Sequence, residues 1–137
     1  MAVSKKLFVE IVSPERELWA GEGDMVIAKT IDGEMGVQPG HVPVLALLAP
    51  GAVVRVVGGR ENGEVRVAAH GGFMSVAGGD RVSILAETAE LAEDIDVERA
   101  RTALSEAEAG QISPDDAEGL ARAARARSRL QAAGEKV

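Results

Sequence analysis

The sequence predicts a mainly β protein with an α appendage: an N-terminal antiparallel β-sandwich followed by a C-terminal helical hairpin. From Leu7 to Ala86, glycine- or proline-containing turns recur every few residues, with short valine-rich runs between them. After Asp80 no glycine appears until Gly110, and the intervening stretch is rich in Ala, Glu and Arg, which favour helix. These two textures divide the chain into a β domain, 1–87, and an antiparallel two-helix hairpin, 88–137.

The strand candidates are "LFVEIVS", "DMVIAKT", "AVVRVVG", "EVRVAAH", "FMSVA" and "RVSILA". Val54-Arg55-Val56 and Val65-Arg66-Val67 alternate apolar and polar, which turns one face to a core and one to water. Short strands at this spacing indicate a sandwich or barrel. Asn62-Gly63 is the strongest hairpin signal, because both residues accept positive φ. Gly71-Gly72 and Gly78-Gly79 read as further hairpin turns. In "DGEMGVQPGHVPVLALLAPG", Pro39 and Pro43 forbid a regular central strand, so the segment is a bend at one end of the sandwich. His41 is then a turn residue whose ring bonds nearby backbone, with a partner contact as its functional alternative. Trp19 is a core or edge anchor.

The first helix lies within "AELAEDIDVERARTALSEAEAG", with Asp94 or Asp96 as its cap and Gly110 at its end. The second, "SPDDAEGLARAARARSRLQAAG", opens with Ser113 as N-cap and Pro114 at the first helical position, and it closes on arginines and Gly134. Its apolar stripe is thin: Val97, Ala100, Leu104 and Ala107 in the first helix, Leu120, Ala124 and Leu130 in the second. Two readings stand. The hairpin is either a detachable element or a small stable appendage packed on the sandwich.

Composition excludes several classes. A net charge of −7 and three aromatic residues (Phe8, Trp19, Phe73) argue against nucleic acid. No apolar stretch reaches the roughly 18–20 residues of a membrane span. The N-terminus lacks the apolar core of a signal peptide, and there are no cysteines, which together give a cytosolic expectation. Two histidines without HxH or HExxH spacing give no metal site. Ser75 is outside any nucleophile elbow, and neither Gly pair has the Lys-Ser/Thr of a phosphate loop. No catalytic residue is assigned. Two rival classes are a stand-alone sandwich binding a small ligand beneath a helical lid, and an enzyme using Asp, Glu and His41. The first would want an aromatic-lined cavity, and the second a carboxylate pair with split pKa values.

"DGEMGV", "QPGHVPVLALLAPG", "GGF", "VSILAETAEL" and "DIDVERA", in that order, resemble the epsilon subunit of bacterial F-type ATP synthase. Members commonly read G-x-x-G-I-x-P-G-H-x-P-L-x-x-x-L-x-P-G. Here Gly33, Gly36, Pro39, Gly40, His41, Pro43, Leu48, Pro50 and Gly51 match, while Val37 and Val44 are mild replacements. The resemblance covers nearly the whole chain. It implies a non-catalytic central-stalk subunit that couples proton translocation to ATP synthesis. The implied partners are the gamma subunit, the ring of c subunits and the alpha/beta head. The implied place is peripheral, without membrane insertion, on the cytoplasmic side of the bacterial plasma membrane. Asp32, Glu34 and His41 would face gamma and the c-ring, with 32–36 as a turn. The hairpin would inhibit ATP hydrolysis, with Arg122, Arg125, Arg127 and Arg129 meeting the beta subunits. The alternative for those arginines is a solvated helix face.

Some bacterial members bind regulatory ATP through an I/L-D-x-x-R-A motif. The resemblance carries this onto Ile95, Asp96, Arg99 and Ala100, with Glu90 upstream and Arg125 and Arg129 adding charge from the second helix. No other cofactor is implied. The alternative is that Asp96 caps the helix and pairs with Arg99. Two departures bear on the site: Glu106 stands where a basic residue is usual, and the inter-helix stretch is shorter.

Overall fold

The computed structural model describes residues 6–60, 63–110 and 113–135. Eight strands and two helices follow in order: β1 (Leu7–Val12), β2 (Glu17–Gly23), β3 (Met25–Thr30), β4 (Gly33–Val37), β5 (Val44–Leu47), β6 (Ala52–Arg60), β7 (Gly63–Ala77), β8 (Arg81–Leu91), α1 (Val97–Ala109) and α2 (Ala117–Ala132). Lateral order is β2-β1-β8-β7-β6-β3-β4, with β5 also on β7. Every ladder is antiparallel except β1 with β8. Leu7, Val9, Ile11, Val26, Val54, Val56, Val65, Val67, Met74 and Ile84 fill the core. They sit at the alternate positions that the period-2 reading assigned to the inner face.

Strand β7 departs from the sequence reading. "EVRVAAH" and "FMSVA" are one 15-residue strand, and Gly71-Gly72 is not a hairpin turn. The strand pairs with β6 through Ala69 and with β5 from Phe73. Between the two partners Gly71 and Gly72 take φ of 66° and 126°. A Cβ on Gly72 would lie 1.9 Å from the Leu85 carbonyl oxygen. Two glycines in sequence signal a break, but only the tertiary ladder shows that pairing with β8 continues across it. Gly78–Asp80 is a true turn between β7 and β8. Asn62, half of the expected hairpin pair, is outside the described residues. Strand β8 runs to Leu91, past the expected boundary at Glu87, because residues 88–91 pair with residues 67–70 of β7.

The lone tryptophan, Trp19, lies half-buried on edge strand β2, its ring packed where Gly21 has no side chain. Residues 38–43 form the bend expected of the Pro-Gly-His segment, and the His41 ring nitrogen Nδ1 lies 2.7 Å from the Val42 carbonyl oxygen. Among the described residues, no helix is long and apolar enough to cross a membrane.

Asp96 caps α1, accepting from the Arg99 amide at 3.1 Å, and Gly110 ends it. For α2 the expectation is corrected. Asp116, not Ser113, is the N-cap and accepts from the Gly119 amide at 2.9 Å. Ser113 instead closes a preceding turn on the Asp115 amide. The helix ends in a Schellman arrangement on Gly134: the Gly134 amide donates to Gln131 and the Glu135 amide to Leu130.

Gly72→Ala combines positive φ with a backbone overlap, so it should destabilise the sandwich by about 3 kcal/mol, read as a lowered urea midpoint. Gly33→Ala, where a Cβ meets nothing within 4 Å despite φ of 118°, should cost clearly less.

Candidate functional site

Helix α2 lies between α1 and the outer surface of β6 and β7. Its buried face is Gly119, Ala123, Ala126, Ser128, Leu130 and Ala132. Leu120, expected in the stripe, is instead 46 % exposed. Small side chains let the backbones approach: a Cβ on Gly51 would come 2.5 Å from the Ala124 carbonyl oxygen. The buried Ser128 hydroxyl donates to the Ala52 carbonyl at 2.8 Å. Arg129 Nε donates to Glu90 Oε1 on β8 at 2.6 Å. These contacts, with a minor cluster of Ala68, Ile95 and Ala132, are what hold α2 to the sandwich.

A cleft of about 760 Å³ opens beside α2, walled by both helices and the end of β8. It gathers Glu90, Asp96, Arg99, Ala100, Arg125 and Arg129 of the residues assigned to a nucleotide site, whereas Ile95 is buried against Ala68 and Ala132. Its wall also takes in Arg122 and Glu106. Arg122, Arg125 and Arg129 recur at three- and four-residue steps, which stacks them on one helix face. Arg127 falls off that face and reaches Glu108 at 3.8 Å. The four arginines therefore do not form one surface in this docked arrangement. Arg129 is held by Glu90 and Arg125 by Glu118 at 3.2 Å. Among the described residues, Arg99 and Arg122 have no ion-pair partner. Asp96 serves as cap through the Arg99 amide, but the side-chain pair with Arg99 that the alternative reading expected is absent among the described residues.

The three residues grouped as a gamma and c-ring face are not brought together. Asp32 lies in the Ile31-Asp32 turn before β4, and Glu34 is within β4, so residues 32–36 are mostly strand rather than turn. His41 lies past the other end of β4, where the Gly40 amide donates to Gly79. That strand separates them by roughly 17 Å.

The sequence reading missed an apolar row on the outer surface. Leu47 pairs across β5, β7 and β8 with Phe73 and Leu85, which puts all three on one face. Leu45 is on the same side of β5, and Ile31 donates its amide to Leu47. Leu45 is 69 % exposed, Ile31 59 %, Leu47 55 % and Leu85 41 %. A contiguous row of this kind marks a docking surface. The alternation in "VLAL" was its signal, hidden by assigning the segment to a bend.

His70 lies on β7 immediately before the glycine pair and is 6 % exposed. Neither ring nitrogen has a hydrogen-bond partner. Burial most of all, then Arg129 and to a lesser extent Arg125, pushes its pKa down to about 4 from 6.5; Glu90 opposes this by less than Arg129 but more than Arg125. At the opposite end of the β6–β7 ladder, Arg60 pairs with Glu93 through bonds of 2.6 and 2.5 Å, tying β6 to the short 3₁₀ turn Ala92–Asp94. That pairing holds the Glu93 carboxyl below its usual range.

Comparison with known proteins places this geometry. The sequence model of the ATP synthase Delta/Epsilon chain beta-sandwich domain matches residues 6–92. The ATP synthase epsilon chain of Thermobifida fusca is 76 % identical over 133 residues, covering 97 % of this chain and 96 % of that one. The Streptomyces griseus epsilon chain is 44 % identical over 130 residues, covering 95 % and 97 %. Among solved structures, a chain of the Euglena gracilis mitochondrial ATP synthase, from an OSCP/F1/c-ring assembly, superposes with a TM-score of 0.77 at 28 % identity, covering 95 % of this chain and 82 % of that one.

Ser128→Ala removes a buried bond and strands the Ala52 carbonyl, at a cost of about 1–2 kcal/mol in docking. Tryptic cleavage within α2 should accelerate roughly five- to thirty-fold while the sandwich keeps its urea midpoint.

Proposed function

This chain belongs to the ATP synthase epsilon family, and we propose that it is a rotor subunit of the central stalk whose C-terminal helices restrain ATP hydrolysis. It is a subunit of ATP synthase; in our reading it is non-catalytic and couples proton translocation to ATP synthesis. The sandwich binds gamma and the c-ring, the hairpin reaches the alpha/beta head when released, and the assembly lies peripherally on the cytoplasmic side of the plasma membrane. The observation that carries the regulatory part is the docking contact of α2, built from small side chains, one buried hydroxyl bond and one half-exposed ion pair. Such a contact separates at modest cost and leaves the sandwich core intact. The apolar row of Leu45, Leu47, Phe73 and Leu85, beyond the glycine break from α2's contact, supports a stable partner surface.

A volume of about 760 Å³, within the range of small-molecule sites, supports reading the cleft as a nucleotide site. Arg99 and Arg122 carry guanidiniums with no carboxylate partner, suited to phosphate, and Arg125 and Arg129 stand beside them. Asp96 or Glu90 can accept from an exocyclic amine. Bound ATP would join α1 to α2 and hold the hairpin docked. Glu106 in the same wall opposes the phosphate charge, so the affinity is modest.

The test is reconstitution on an epsilon-depleted catalytic head that retains gamma. The full chain should bind and slow hydrolysis several-fold, and a chain ending after Asp94, which keeps β8 whole, should bind without slowing it. Failure of the full chain to bind overturns the rotor reading, and equal inhibition by both chains overturns the role of the hairpin. Leu45→Asp with Leu47→Asp should weaken gamma binding at least ~100-fold with an unchanged urea midpoint, because both side chains are exposed.

Calorimetry of ATP into the isolated chain checks the cleft. Arg122→Ala or Arg125→Ala should weaken binding about five-fold or more. An absence of heat with the unaltered chain removes the nucleotide from this account.

A further inference from the structure

The imidazole of His70 is roofed by α2. It lines a cavity of about 590 Å³ between the sandwich and that helix, separate from the arginine cleft but sharing Glu90, Arg125 and Arg129 with it. Helix α2 presents Arg125 and Arg129 to the cavity, β8 presents Glu87 and Glu90, and the segment from Leu48 to Gly51 presents no titratable group. Two cations and two carboxylates leave no net charge to hold a ligand ion. What stands out is the ring itself, with both nitrogens buried and unpartnered.

We propose that His70 is a proton-sensitive latch, whose protonation drives α2 off the sandwich. A neutral ring is tolerated beneath the helix, but an imidazolium there has two N–H donors with no acceptor and two guanidiniums nearby. It can be relieved by α2 lifting so that water reaches the ring, by Glu90 turning to accept from the ring and abandoning Arg129, or by Glu87 swinging in from β8. The first two routes dissolve the Arg129–Glu90 bond that holds α2, and the Glu87 route would leave the latch without effect.

The sign follows from linkage. The docked state holds the His70 pKa near 4, and a released, hydrated ring returns to its ordinary 6.5. The docked state therefore binds the proton more weakly. Docking is at full strength above pH 6.5 and is lost as pH falls from 6.5 towards 4. The docking constant should drop about ten-fold at pH 5.5 and about 300-fold below pH 4. The effect on hydrolysis rests on the regulatory reading above, whereas the effect on docking does not.

Hydrogen exchange on the full chain tests this, following amides of α2 from Ala123 to Leu130 and correcting for intrinsic rates. Protection in α2 should fall about ten-fold between pH 7.5 and 5.5, while β7 amides keep theirs. In His70→Gln the α2 protection should stay flat over that range. An equal pH response in both chains overturns the latch. Should His70→Gln fail to dock at pH 7.5, the ring of the unaltered chain is titrated by NMR instead. Titration near 6.5 with α2 still protected overturns the proposal, and titration that coincides with loss of α2 protection upholds it. Hydrolysis by the reconstituted head is measured over the same pH range. If α2 releases on acidification but inhibition does not follow, the latch stands and the regulatory reading falls.

Discussion

Strand β7 has to serve two ladders on one side, and most of the molecule follows from how it does so. Its first half is bonded to β6 and its second to β5, while β8 runs along its other edge from Val67 to Ala77. A straight strand cannot change partners and stay in both layers of a small sandwich. The break falls at Gly71-Gly72, where the neighbouring backbone is close enough to exclude any side chain. Beyond the break, β5 is laid down with Leu45 and Leu47 outward, which creates the apolar row. Before it, Ala68 and Val53 make a smooth shelf on which α2 rests while Ala69 turns into the core, and His70 lies at the shelf's edge.

The hairpin depends on that shelf in a specific way. Large apolar side chains would have fixed α2 more firmly but would have held its backbone away from Gly51 and Ala52. With alanines and Ser128 the approach is close and the buried area small, so little hydrophobic free energy opposes release. The charged groups then matter more than they would over a greasy interface. Glu90 and Arg129 are at the junction of both cavities, so that one ion pair borders each of them.

Much of this was legible in the chain. Period-2 alternation at Val54–Val56 and Val65–Val67 placed the core faces, Asp96 marked the start of α1, and Gly134 marked the end of α2. The gathering of Glu90, Asp96, Arg99, Arg125 and Arg129 into one cleft was reached through resemblance, because the residues come from three elements whose packing no local pattern encodes. The failures share a cause. Ser113 and Asp116 are both good caps, and the choice went to the residue whose carboxylate meets the Gly119 amide. Leu120 was placed in the buried stripe because it is apolar, yet it is exposed, and the close helix–sheet approach buries the small polar Ser128 instead. Gly71-Gly72 has the composition of a turn, and only the long-range ladder distinguishes a break within a strand from a reversal.

Trp19 gives the molecule an uneven optical signature. The only indole is anchored on edge strand β2, whose main packing is against β1, β6 and β8. Its emission therefore tracks the melting of the sandwich and is blind to the hairpin. A fluorescence melt of this chain reports one transition and a native protein on its low-temperature side, whether the helices are seated or adrift.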